Sequence, residues 1–225
     1  MLRGLIVTAF AMIGVAQASA QLSVNPAILS FEGAETTRKD IKVANTSART
    51  QYLEISAARI HEPGTYPETY FESPHPDKVG LLVAPRRIAL KPGEERVVRV
   101  ILLDTDLEAD KAWRVHIKPT IGNIETDRSV AVTLLAFKAL VIARPDTPMT
   151  KIVSERDGRT LTLTNIGNSN VILFDGQQCA DGDTLCQHVA GKRLWPGLEW
   201  RTELPTDAPV TFTLRDTGED RSMEF

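Results

Sequence analysis

The chain has 225 residues, with 26 Lys and Arg against 29 Asp and Glu, a formal net charge of −3. That balance excludes the basic excess of a nucleic-acid-binding surface, and no run of like charge marks a tail. The length fits one large or two small domains.

The chain opens with Met1-Leu2-Arg3, continues through an apolar run from Gly4 to Ala16, and reaches Ala18-Ser19-Ala20. A positive start, a short apolar core and a small-x-small end predict a secretory signal peptide, residues 1–20, removed after Ala20. The apolar run falls short of the roughly 20 residues needed to span a bilayer. Loss of Arg3 with this leader leaves 25 basic against 29 acidic residues. Of the later segments, Val130–Ala143 comes closest to a membrane helix, but it is too short and carries Lys138. The expectation is an exported protein with no direct membrane insertion.

The mature chain reads as strands. Leu22–Phe31 is apolar and interrupted by Pro26, which suits an edge strand or a switch between sheets. Asp40–Asn45 and Tyr52–Ile60 alternate, with Ile41 and Val43, then Leu53 and Ile55, in phase. His61–Asp77, rich in Pro, Gly and aromatics, predicts a long irregular loop. Strands follow at Leu81–Ala84, Arg87–Leu90, Arg96–Leu103 and Trp113–Lys118, with a turn at Pro92-Gly93 and a loop at Gly122–Asp127. Val130–Ala143 is apolar on both faces for more than twice the usual strand length of about 5–6 residues. Its β-branched residues favour strand over helix. Such a strand is either covered on both faces or offers one to a partner.

Arg144-Pro145-Asp146-Thr147-Pro148 predicts a linker. Shorter strands resume at Lys151–Ser154, Thr160–Asn165, Asn170–Asp175, Lys192–Trp195, Trp200–Leu204, Val210–Leu214 and Ser222–Phe225. A second turn at Pro196-Gly197 echoes the first. Many short strands with frequent turns predict an all-β protein of two immunoglobulin-like sandwiches, residues 21–145 and a smaller 149–225. Cys179 and Cys186 predict a disulfide in an oxidising compartment.

The chain lacks GxSxG, HExxH, P-loop and dinucleotide fingerprints, and its four histidines, His61, His75, His116 and His188, have no metal-ligand spacing. No enzyme, cofactor or metal is expected. His116, within a strand, reads as structural.

Several segments carry a resemblance. Gly80–Gly93 and Arg96–Val100 resemble the region around the D strand of the periplasmic chaperones of the chaperone–usher pilus pathway. Asn165-Ile166-Gly167-Asn168, then Cys179, Cys186 and Trp195-Pro196-Gly197, resemble the branch serving class 5, colonisation-factor-type fimbriae. The resemblance spans essentially the whole mature chain.

It implies two immunoglobulin-like domains in a boomerang, pilin subunits and an outer-membrane usher as partners, and a periplasmic location. It gives the long strand a role as the G1 strand lent to a pilin that lacks its last strand, by strand addition. Val130, Val132 and Leu134 are then the donor side chains; a one-residue phase shift exchanges them for Ala131, Thr133 and Leu135. An open strand of this kind also invites self-capping by dimerisation. The family anchors the pilin C-terminal carboxylate with two cations. Lys138 is the candidate for one, although counting back from Arg144 without a gap puts Leu140 at the lysine position. Ile28, three residues before Phe31, stands where the family has arginine, leaving Arg87 and Arg114 as substitutes. The family's interdomain salt-bridge cluster maps to Asp110, Arg144 and Asp216. The alternative reading is a secreted or surface immunoglobulin-like adhesion or structural module.

Overall fold

A computed structural model describes residues 21–33, 36–120, 135–179, 186–217 and 220–225. The leader, the loop at 122–127 and the donor candidates Val130, Val132 and Leu134 lie outside these residues.

From Leu22 to Arg144 the chain forms β1 (Leu22–Asn25), β2 (Ile28–Glu32), β3 (Arg38–Asn45), β4 (Gln51–Ile60), β5 (Tyr70–Phe71), one helical turn α1 (Pro76–Val79), β6 (Leu81–Ala84), β7 (Arg87–Leu90), β8 (Glu95–Leu102), β9 (Lys111–Thr120) and β10 (Phe137–Arg144). One sheet has the order β1-β3-β8-β6; the other has the order β2-β10-β9-β4-β5, with β7 also on β4. Pro26 therefore lies at a switch: β1 pairs with β3 in one sheet, and β2 runs parallel to β10 in the other. The alternating positions face inward, and Ile41, Val43, Leu53, Ile55, Val98, Val100, Trp113, Val115 and Ile117 fill the space between the sheets. The predicted loop at His61–Asp77 is not wholly irregular, since it contains β5 and the start of α1.

After Arg144 come β11 (Ile152–Asp157), β12 (Thr160–Asn165), β13 (Val171–Gln178), β14 (Gln187–Val189), β15 (Lys192–Leu194), β16 (Glu199–Glu203), β17 (Thr211–Arg215) and β18 (Arg221–Glu224). They form a sheet of order β11-β12-β16 and another of order β14-β13-β17-β18, with β15 also on β13. Leu161, Leu163, Leu173, Phe212 and Leu214 are buried between them. The Cys179–Cys186 disulfide is formed. β14, just beyond it, had no apolar alternation to announce it.

The two halves repeat one device. Asn45 and Asn165, at the ends of β3 and β12, are buried. Asn45 Nδ2 donates to the carbonyls of Arg49 and Leu90, and Asn165 Nδ2 to those of Ser169 and Leu194. Their backbone carbonyls accept from Gly93 N and Gly197 N, at 2.9 and 2.8 Å. Both glycines have φ of +74°, a conformation that side chains disfavour. A buried amide that meets its partners ties each Pro-Gly turn to a strand end. This is the physical basis of the sequence echo.

The C-terminal part of the apolar run resolves into two covered faces. Ala139, Val141 and Ala143 point into the first core. Leu140 and Ile142 point the other way and pack with Ile60, Ala112 and Trp195, the last from the second sandwich.

Candidate functional site

The outer face of the β2-β10-β9-β4 sheet is read from its register. Ile142 lies beside Ala112. Leu140 lies between Ile28 and Arg114, with Ala58 beyond. Lys138 lies beside His116, with Ser56 beyond. Trp195 covers the first of these rows and is 4% exposed. The loop after β4 closes over its indole: a Cβ on Gly64, whose φ is +95°, would come within 2.6 Å of Trp195 Cδ1.

Beside this contact is a cleft of about 300 Å³, bounded by Arg114 and Leu140 from the sheet, Glu68 from the loop before β5, and Lys192, Arg193 and Trp195 from the second sandwich. Arg114 donates from Nε and Nη2 to the two carboxylate oxygens of Glu68, at 3.0 and 2.6 Å. Tyr70 Oη donates to Glu68 Oε2 at 2.6 Å. The Arg114 hydrogen bond holds the Glu68 carboxyl below its ordinary range, and Glu68 raises the Arg114 guanidinium in turn. Burial, then hydrogen bonding to Glu68, pushes the Tyr70 phenol up. Lys138 is exposed, with Nζ 5.2 Å from the centre of the Tyr70 ring. Arg193 stacks on Trp195 and donates to Asn170 Oδ1. Burial, then the charge of Arg144, lowers its pKa.

His116 is 4% exposed and neither ring nitrogen has a hydrogen-bond partner. Burial lowers its pKa, assisted by Lys118 and Lys138. Glu72 Oε1 lies 3.9 Å from Nδ1. Among the described residues no group of three or more His, Cys, Asp or Glu is placed to hold a metal ion.

A second cluster joins the sandwiches behind the cleft. Asp110 Oδ2 accepts from Asn170 N at 2.7 Å, from Asn170 Nδ2 at 2.5 Å and from Ser169 Oγ at 3.3 Å. Arg144 Nη1 donates to Ser169 Oγ at 2.6 Å and lies 3.9 Å from Asp110 Oδ2. Its Nε lies 3.2 Å from Glu32 Oε2, angled as an ion pair rather than a hydrogen bond. Of the three residues that the resemblance assigned to a salt-bridge cluster, Asp110 and Arg144 meet here. Asp216 has its ion pair with Arg221, on the neighbouring strand of the β17–β18 hairpin, at 3.1 Å. Ser169 and Asn170 are the second-half partners of Asp110. The sequence signal for them was the Asn165–Asn168 turn just before, whose polar residues look like ordinary loop chemistry.

Of the candidate cations, Arg114 is in the cleft and Lys138 is one row away along the sheet. Arg87 lies on β7, three strands from β10. Leu140 and Ile28 are direct neighbours in one row with Arg114. Glu68, Lys192 and Arg193 were not found from the sequence, because a loop glutamate and two strand-end cations carry no motif.

No family model matches the chain. Over 176 residues, 72% of this chain and 72% of the other, it is 24% identical to a CS1 fimbrial protein of Escherichia coli. Among solved structures, the class 5 fimbriae chaperone CfaA covers 91% of this chain and 97% of its own, at 20% identity and a TM-score of 0.70. A chain of the chaperone–tip adhesin complex of CFA/I fimbriae biogenesis covers 92% and 98%, at 20% identity and a TM-score of 0.67. The fold is that of the pilus chaperones. A chain of the Salmonella enterica SafA pilin–SafB chaperone complex aligns over 93% and 98%, at 15% identity and a TM-score of 0.62. Among the described residues no helix is long and apolar enough to cross a membrane.

Proposed function

We propose that this chain is a non-enzymatic periplasmic chaperone that binds pilin subunits by lending them a strand and passes them to an outer-membrane usher. Its domains on this reading are residues 21–145 and 149–225, after removal of residues 1–20. The observation that carries it is an open edge on β10. On the β9 side the ladder covers Phe137 to Ala143, whereas on the other side pairing with β2 begins only at Leu140. Phe137–Ala139 therefore present one edge to an incoming strand, at the point where the chain enters from 121–134. Strand addition needs such an edge, with apolar side chains at alternate positions for pockets in the client. The likeness in fold to chaperones solved with adhesin and pilin subunits supports the same reading.

The cleft supplies the second element, a site for the client's C-terminal carboxylate, with Arg114 and Lys138 as its cations. Lys192 and Arg193 make the opposite wall positive, so an anion entering there meets three lining cations and one carboxylate.

The test is co-expression with a pilin encoded beside it and recovery of a stoichiometric complex. Asparagine at Val132 and Leu134 is expected to abolish the complex. Leu135, which is exposed, and Phe137 share the parity of the core-facing Ala139 and Val141, so asparagine at Thr133 and Leu135 is the comparison that fixes the phase. A wild-type protein that recovers no pilin, or a complex indifferent to both pairs of substitutions, would defeat the proposal.

A further inference from the structure

The cleft is positive, yet its most accessible fork is already engaged. Glu68 takes Nε–H and Nη2–H of Arg114 in the two-point geometry that a free carboxylate would adopt. The two side chains are 25% and 24% exposed, so the pair is partly screened and open to exchange. Tyr70 holds the same carboxylate and carries Lys138 over its ring. The segment bearing Glu68 is lightly held. β5 joins β4 through two residue pairs, Arg59–Phe71 and Ile60–Tyr70, and one bond from His61 N to Thr69 O precedes them. The facing wall does not hold Glu68: Arg193 donates to the Asn170 amide and stacks on Trp195.

We propose that Glu68 is an internal stand-in for the client's terminal carboxylate, occupying Arg114 in the free protein and displaced when a client binds. The proposal rests on the chaperone reading above and adds a regulatory contact to it. The exchange replaces one carboxylate by another on the same guanidinium. It costs little for an anionic chain end, and a neutral group that displaced Glu68 would leave Arg114 without its counter-charge. The site thereby discriminates in favour of a free C-terminus. The displaced Glu68 stays next to Lys138 and Lys192, which keeps the freed loop in a positive surrounding.

The test uses the intact mature protein and a synthetic peptide of the C-terminal segment of the adjacent pilin, as free acid and as amide, with binding read from Trp195 fluorescence. Glu68→Gln is expected to bind the free acid about fivefold more tightly than wild type, roughly 1 kcal/mol at 1.4 kcal/mol per tenfold. It should leave amide binding unchanged. Arg114→Ala should weaken the free acid, and adding Glu68→Gln to it should change nothing further. If Glu68→Gln binds the free acid no more tightly, or less tightly, Glu68 instead positions Arg114 and the proposal falls. Co-purification of whole pilin with the wild type separates the two failures. Pilin recovered with no gain in Glu68→Gln overturns this proposal alone; no pilin recovered overturns the chaperone reading and this proposal with it.

Discussion

Replacing Asp110 by alanine tests whether the polar cluster holds the two sandwiches together. The Asp110 side chain has no exposed surface and Arg144 is 7% exposed. Alanine removes the acceptor of Asn170 N, Asn170 Nδ2 and Ser169 Oγ at once. Hydrogen bonds to a charged group contribute about 1.5–3 kcal/mol each, and breaking a buried ion pair costs about 3–5 kcal/mol. These terms overlap, and Arg144 keeps Glu32 and Ser169, so the expected net loss is about 4 kcal/mol. With an m-value near 2 kcal/mol/M, the urea midpoint falls by about 2 M. The lost bonds join β9 to the turn before β13, so the transitions of the sandwiches should also separate. Tryptophan emission follows both, since Trp113 lies in the first core and Trp200 packs on the second. Asp110→Asn is the control. It can keep an oxygen on the three donors and place its amide where Oδ1 has no partner, losing only the charge toward Arg144. It should cost about half as much. A midpoint shift in Asp110→Ala below about 0.5 M would refute the reasoning, as would an equal loss in Asp110→Asn.

Trp195→Ala removes a buried aromatic from the junction and should cost about 3–4 kcal/mol, read as a lower urea midpoint with loss of cooperativity between the sandwiches. Replacing Cys179 and Cys186 by serine opens a small loop and should cost roughly 2.5 kcal/mol, confined to the second sandwich and matched by reducing the wild type. The folded pKa of His116 is lowered by burial, so the unfolded chain binds the proton first as pH falls. Its effect on stability is absent above the ordinary histidine range and grows as pH drops from there through the folded pKa. His116→Leu should flatten that part of the stability–pH curve, and an unchanged slope would show that other groups set it.

The strands were legible because most are half-buried, and inward positions at every second residue leave a period of two. Asp40–Asn45, Thr160–Asn165 and the two Pro-Gly turns were recoverable on that basis. β14 was not, since its outward residues are exposed and only Val189 is buried. The two-faced run was read without its geometry. Periodicity shows that Leu140 and Ile142 are apolar, but not that their cover is a tryptophan 53 residues further along the chain. The site was less legible still. Arg114 was named only as a substitute, and its partner Glu68 lies 46 residues away on a loop with no distinguishing pattern.

The row Ile28–Leu140–Arg114–Ala58 gives a physical reason for the two apolar residues at the places where the resemblance expects cations. Leu140 is 9% exposed and packs with Ile142 under Trp195, so a lysine there would bring an ammonium group into an apolar contact. Arg114 is one strand further on, a step of about 4.8 Å, where the cover is the open cleft rather than the indole. The positive charge has thus moved sideways within one row, and Trp195 occupies the ground it left. The two changes belong together. Filling the junction with an indole makes position 140 apolar, and an apolar residue at 140 leaves β9 as the neighbouring strand able to present a cation to the same space. Arg193, stacked on Trp195, adds a cation from the opposite wall, so the tryptophan that excludes charge from Leu140 also places one across from Arg114.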